Sequence, residues 1–281
     1  MIASTLKGAL TRYTLYRQLA PETVAWYSRA VSVFCGWAGG DVPLAEFNGQ
    51  RISEMLLDKQ RAGRSAYYVK SLRGGLVALL RDVRGDAPIE RVRSVKPSPL
   101  DPHALTVVEV ERLLLAVESL PEGSRWRYRL MICLGYYTGL DAADIWRIER
   151  RHISDDGSLF FRRGKTGSPV FVQLPPDVVE EIDRYCLRKG AMIRMGVSKE
   201  WFRRVMATLY ARARLTGTFK TLRKSSGSLV EQASPGTGHK HLGNTRAIFE
   251  RHYESKRITR DKPTMPPRIR LPKPPDPPRA A

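Results

Sequence analysis

Between residues 94 and 104 the chain reads Ser-Val-Lys-Pro-Ser-Pro-Leu-Asp-Pro-His-Ala, with three prolines and no apolar periodicity. Proline removes an amide donor and drives the residue before it away from helical geometry, so this stretch is a linker rather than an element. A chain of 281 residues broken there must build its cores on either side of the break. The hydrophobic fraction, 42%, is enough for both. The formal net charge of +20 exceeds what solubility needs and points to a polyanionic partner. An anionic membrane surface is the weaker choice, because no run of about 18 apolar residues is present and the N-terminus lacks the apolar segment of a secretion signal. Cys35, Cys133 and Cys186 are scattered in apolar stretches, which fits reduced, buried thiols in a cytoplasmic protein rather than a disulfide or zinc framework. No metal site and no cofactor is expected.

Residues 1–93 read as a helical domain. Pro21-Glu22-Thr23 opens a helix carrying Val24, Tyr27, Val31 and Phe34 at helical spacing, and Gly39-Gly40 closes it. Further helices are expected at about 50–60 and 65–83, the last with a Gly74-Gly75 pair that marks a kink or a close packing contact. Residues 105–258 read as a mixed domain. Thr106 and Glu109 form a capping-box pattern, and helices follow at about 126–137 and 141–148. The period then becomes strand-like at 158–162 and 170–174, around the turn Gly164-Lys165-Thr166-Gly167-Ser168-Pro169, giving a hairpin with a basic tip. Helices resume at about 177–188, 199–213, 222–232 and 245–253. The stretch 259–281, rich in proline and basic residues, cannot bury a core and reads as disordered. The fold class is mainly α with a small β-sheet (α+β).

Four segments of the second domain resemble, in order, the catalytic boxes of the tyrosine recombinase (phage integrase) family. Thr138-Gly139-Leu140-Asp141 followed by Asp144 resembles a Thr-Gly-Leu-Arg box with its supporting acid, except that Asp141 stands where the family has its first arginine. Lys165-Thr166-Gly167 resembles the hairpin turn that carries the family's lysine. Lys220-Thr221-Leu222-Arg223 resembles the His-x-x-Arg box, with Lys220 for the histidine. Leu242-Gly243-Asn244 resembles Leu-Gly-His, with Asn244 for the histidine, and Tyr253 follows nine positions later, at the family's nucleophile spacing.

The resemblance implies a SAM-like helical core-binding domain ahead of a tyrosine-recombinase catalytic domain. It implies double-stranded DNA as partner, self-association into a synaptic tetramer, and DNA integration or recombination by a mobile element. Tyr253 is then the nucleophile that forms a 3′-phosphotyrosine, Arg223 the phosphate ligand, Lys165 the general acid, and Lys220 and Asn244 hydrogen-bond donors. Asp141 reverses a charge that the reaction needs, so cleavage is expected to be impaired unless another arginine, such as Arg125, Arg147 or Arg150, compensates. The alternative is a recombinase-derived DNA-binding regulator or accessory protein without strand transfer. A topoisomerase IB-like relaxing enzyme shares the chemistry but fits the N-terminal domain less well. Asp141 also has a plain structural role open to it, as a helix cap.

Overall fold

A computed structural model describes residues 4–85, 92–98, 102–186, 190–193 and 195–259. The expected linker residues 99–101 and the expected disordered tail from 260 onward lie outside them. The chain divides into two compact units, Met1–Pro99 and Leu100–Ala281.

The described residues of the first unit form four helices: α1 (Leu6–Arg17), α2 (Pro21–Ala38), α3 (Gly49–Arg61) and α4 (Ala66–Arg84). Thr5, Asn48 and Ser65 cap α1, α3 and α4 by accepting backbone N–H bonds, and α2 stops at Gly39 in the left-handed region. Helix α4 runs unbroken through Gly74-Gly75. A Cβ on Gly75 would lie 2.9 Å from the Cβ of Ala30, and one on Gly74 3.3 Å from the Trp26 ring. The pair is therefore a close contact with α2 and not a kink. Phe34 and Phe47, edge to face at 5.4 Å, anchor the core with Ile52, Leu56, Leu76 and Leu80.

The second unit begins with α5 (Val107–Val117), whose Thr106–Glu109 capping box forms as the sequence predicts. Next come α6 (Glu122–Thr138), the short α7 (Ala142–Ile145), and a hairpin of β1 (Ser158–Arg162) and β2 (Pro169–Gln173). The strands are antiparallel, with Phe160 opposite Phe171. Leu159, Phe161 and Val170 point into the core, while Phe160 and Phe171 form a cross-strand pair on the open face. The chain continues with α8 (Pro176–Tyr185), α9 (Lys199–Arg212), α10 (Phe219–Ala233), α11 (Gly238–His241), α12 (Arg246–His252) and α13 (Lys256–Thr259). Helix α10 crosses α6 where Gly135 leaves room; a Cβ there would lie 2.8 Å from the Phe219 ring. The described residues are thus mainly helical with a single small antiparallel sheet, the α+β class expected. The three cysteines are free. Among the described residues no helix is long and apolar enough to cross a membrane.

Candidate functional site

The site is organised around Arg223, on the second turn of α10. Its side chain is 1% exposed, although a guanidinium is seldom buried this far without a partner charge. Two carbonyls hold it. Nη1 donates to the oxygen of Gly139, and Nη2 donates to the oxygen of Leu242 at 2.8 Å. Both carbonyls come from the glycine-containing boxes. Gly139 ends α6 at φ +62°, and Gly243, just after Leu242, has the same φ. Side-chain-free backbone at these turns lets the chain reverse tightly beside the guanidinium. The Leu242 side chain, fully buried, fills the space between: Cβ atoms on Gly139 and Gly227 would lie 2.4 and 2.6 Å from its methyl carbons. Burial lowers the pKa of Arg223, and the neighbouring positive Arg163 lowers it further, against smaller opposing effects of Tyr253 and Asp141. Among the described residues no carboxylate lies within ion-pair distance of it.

Tyr253 caps the C-terminal end of α12, with its ring centroid 4.9 Å from the Arg223 guanidinium carbon and 5.8 Å from Lys220 Nζ. The ring is half-buried and Lys220 is exposed. The backbone after Tyr253 is pinned by Ser228, which is fully buried on α10. Ser228 Oγ donates to the Tyr253 carbonyl at 3.1 Å and accepts from the Ser255 N–H at 2.9 Å. Replacing Ser228 with alanine leaves both backbone groups without that partner, and is expected to cost about 1–3 kcal/mol. Urea denaturation measures this; an unchanged midpoint would show that the bridge does not hold the segment.

Asp141 stands at the N-cap position of α7, but its carboxylate makes no cap hydrogen bond. It accepts from Arg163 Nη2 at 3.2 Å instead. Asp144, 7% exposed, accepts the Gly164 N–H at 2.9 Å and lies 3.5 Å from Arg163 Nε. The simple capping role for Asp141 is thereby replaced by an ion pair. Of the three compensating arginines considered from sequence, two are engaged away from this cluster and the third borders it. Arg125 bonds the Leu120 carbonyl and pairs with Glu118, and Arg150 pairs with Asp183. Arg147 is largely exposed, 3.5 Å from Asp144.

The structure thus gathers Arg223, Tyr253 and Lys220, and ties Asp141 to them through Arg163. Lys165 is exposed in the hairpin turn and makes no hydrogen bond or ion pair with another described residue. Asn244 bonds through its backbone N–H to the His239 carbonyl at 2.9 Å, while its side-chain Nδ2 is buried without a hydrogen-bond partner. Two further residues stand at the site. His241 is hydrogen-bonded through Nε2 to Ser226 Oγ at 2.7 Å, and burial first, then Arg223, holds its pKa down at about 4. Arg163 was not singled out from sequence, although continued strand alternation would put it on the same side as Leu159 and Phe161. Among the described residues no group of metal-ligating side chains is assembled.

With a buried arginine held by two carbonyls and a tyrosine ring over it, on a mainly helical chain, the resemblance to the tyrosine recombinase/integrase family read from the boxes is supported by the similarities that follow. No family model matches the chain. In sequence it is similar to tyrosine recombinase XerA of Thermococcus kodakarensis, 28% identical over 167 residues, 59% of this chain and 56% of that protein. The match therefore spans little more than half of that relative's length. In structure it is similar to a lambda integrase tetramer bound to a Holliday junction, with TM-score 0.71, 23% identity, and 94% of this chain and 81% of that one covered. It is also similar to a lambda integrase dimer bound to a COC′ core site, with TM-score 0.69, 23% identity, and coverage of 88% and 97%. A post-cleavage complex of XerH recombinase bound to palindromic difH substrate is a more distant likeness, at TM-score 0.57 and 17% identity over 74% of this chain and 66% of that one. These solved structures speak for the fold.

Proposed function

We propose that this protein binds double-stranded DNA and cleaves and rejoins it through a 3′-phosphotyrosine at Tyr253. The observation that carries the reading is the Tyr253 ring 4.9 Å from a buried guanidinium that has no carboxylate partner among the described residues. A buried cation of that kind suits an incoming anion, and a phosphodiester is the anion a protein of net charge +20 meets on DNA. In the proposed step the Tyr253 oxygen attacks phosphorus and the new O–P bond forms as the bond to the 5′-oxygen breaks. The phenolic proton passes to solvent, and the 5′-oxygen takes a proton from Lys165, on the exposed hairpin turn. The reverse attack by a 5′-hydroxyl rejoins the strand without an external energy source. Arg223 neutralises a non-bridging oxygen with its planar fork, Lys220 adds a point charge, and Asn244 offers its unpartnered amide. Residues 1–93 serve as the core-binding domain and 105–258 as the catalytic domain. Assembly into a tetramer on DNA is part of the same reading, supported by the tetrameric state of the structural relative.

A second reading, a DNA-binding regulator or accessory protein without strand transfer, is favoured by one observation: Asp141, an acid in the place of an arginine. Both readings meet one experiment. The protein is incubated with a pool of nicked duplexes of randomised sequence and run on a denaturing gel, with Tyr253→Phe beside it. A covalent protein–DNA band lost in Tyr253→Phe is the expected result. Duplex binding at low salt with no band from the wild-type chain sinks strand transfer and leaves the regulator.

A further inference from the structure

We propose that Arg163, on the hairpin, is the second guanidinium of the phosphate site and takes the place of the arginine absent at position 141. The inference rests on the reading above for the identity of the anion, but its geometry is independent of any covalent chemistry.

Arg163 follows β1, and its side chain is 8% exposed. Its Nη1 donates to the Leu242 carbonyl at 3.0 Å, the same oxygen that accepts Arg223 Nη2 at 2.8 Å. One carbonyl thus holds two buried guanidinium groups side by side, and burial first, then the charge of Arg163, lowers the pKa of Arg223. Like charges this close are unfavourable unless something negative lies between or beside them. Beside Arg163 stand Asp141, at 3.2 Å, and Asp144, at 3.5 Å. Among the described residues no carboxylate stands as close to Arg223. In both arginines Nε is buried and makes no hydrogen bond, and each guanidinium has more N–H groups than its present bonds use. A buried arginine pair with unused donors, one member of which has no carboxylate partner among the described residues, is a site for a two-pronged oxyanion, and a phosphodiester presents two non-bridging oxygens.

This arrangement explains Asp141. Its carboxylate does not face the anion alone; it is neutralised by Arg163 and helps hold that guanidinium beside Arg223. The charge reversal at 141 and the inward arginine at 163 form one unit, an arginine supplied by the hairpin and an acid supplied by the helix. Asp141→Arg alone should therefore not restore activity. It removes a partner of Arg163 and adds a third cation to a crowded site.

The test follows the arginine Nε–Hε NMR signals of the full chain during titration with inorganic phosphate, assigned through Arg163→Lys and Arg223→Lys. Both signals are expected to move along one binding curve. Arg163→Ala is expected to weaken phosphate about tenfold or more while the Arg223 signal still responds. Arg163→Lys keeps a charge in the hairpin and guards against misfolding; it should bind between the two. Phosphate affinity unchanged in both variants, or no movement of either signal in the wild-type chain, overturns the inference. The covalent assay separates this from the functional reading. If both arginines bind phosphate and no phosphotyrosine forms, the arginine pair stands and strand transfer fails. If phosphotyrosine forms as fast in Arg163→Ala and Arg163→Lys as in the wild-type chain, the pair fails and strand transfer stands. A fall of about a hundred- to a thousandfold in the rate is the result expected if both hold.

Discussion

Replacing Gly139 with alanine is expected to destabilise the second unit by about 2–5 kcal/mol, and a large part of that loss should vanish when Leu242 is also replaced by alanine. Two effects add at this position. At φ +62° any Cβ meets the strain of the left-handed region, about 1–2 kcal/mol. The new Cβ would also lie 2.4 Å from a Leu242 methyl carbon and 3.4 Å from Ser226 Oγ. Leu242 cannot easily retreat, because its other methyl meets Gly227 and it is fully buried. Overpacking of this kind costs about 1–3 kcal/mol. Leu242→Ala by itself should cost about 2–5 kcal/mol through lost contacts and the cavity left behind. In that background the overlap disappears and only the backbone strain remains, so the two substitutions should couple by about 1–3 kcal/mol. Urea denaturation of the two single variants and the double variant measures the coupling. Strict additivity would mean that Leu242 does not fill the space which Gly139 leaves. The same interlock sets the site, since the carbonyls of these two residues are the ones that hold Arg223.

Acid should weaken the fold through His241. A free imidazole titrates near pH 6.5, and in this fold burial, followed by the charge of Arg223, holds the group at about 4. The folded chain therefore keeps the ring neutral where the unfolded chain takes up a proton. Between pH 6.5 and 4 the unfolded state binds more protons, so stability is full above pH 6.5 and falls as the pH drops towards 4. The depression corresponds to about 3 kcal/mol. His241→Gln has no proton to take up in this range and keeps an amide able to reach Ser226. Denaturation at pH 7 and at pH 4 should show the wild-type chain losing up to about 3 kcal/mol more than the variant. Equal losses in both would mean that the ring is not held neutral by the fold.

Much of the architecture could be read from local pattern. The capping box at Thr106 and Glu109 placed α5, and the alternation around Gly164-Lys165-Thr166-Gly167 placed the hairpin, because each signal is complete within a few residues. Helix α1 was not anticipated. Only Leu6, Ala9 and Tyr13 of it are buried, a stripe too thin to stand out among its polar residues. The four-residue helices α11 and α13 have no room for a periodic signal; α11 falls between the helices expected at about 222–232 and 245–253. Of the candidate site residues, Arg223, Lys220 and Tyr253 come together, whereas nothing in the described structure joins Lys165 to them. Arg163 was passed over because Arg162 precedes it in an equally basic strand, and only the direction of the side chains tells them apart: Arg162 is exposed and Arg163 buried.

The sequence by itself determined where the chain can bend and which stretches carry a helical or an alternating apolar face, for those depend on backbone sterics and on neighbours a few residues away. It also determined the spacing from Leu242-Gly243 to Tyr253, and with it the resemblance. Only the tertiary structure decided which charges meet. Asp141 and Arg163 are 22 residues apart, and Arg163 and Leu242 are 79 apart. No local rule couples such positions. Folding of the core closes those distances and turns an acid that looked like a lost arginine into the ion-pair partner of another one, the buried Arg163.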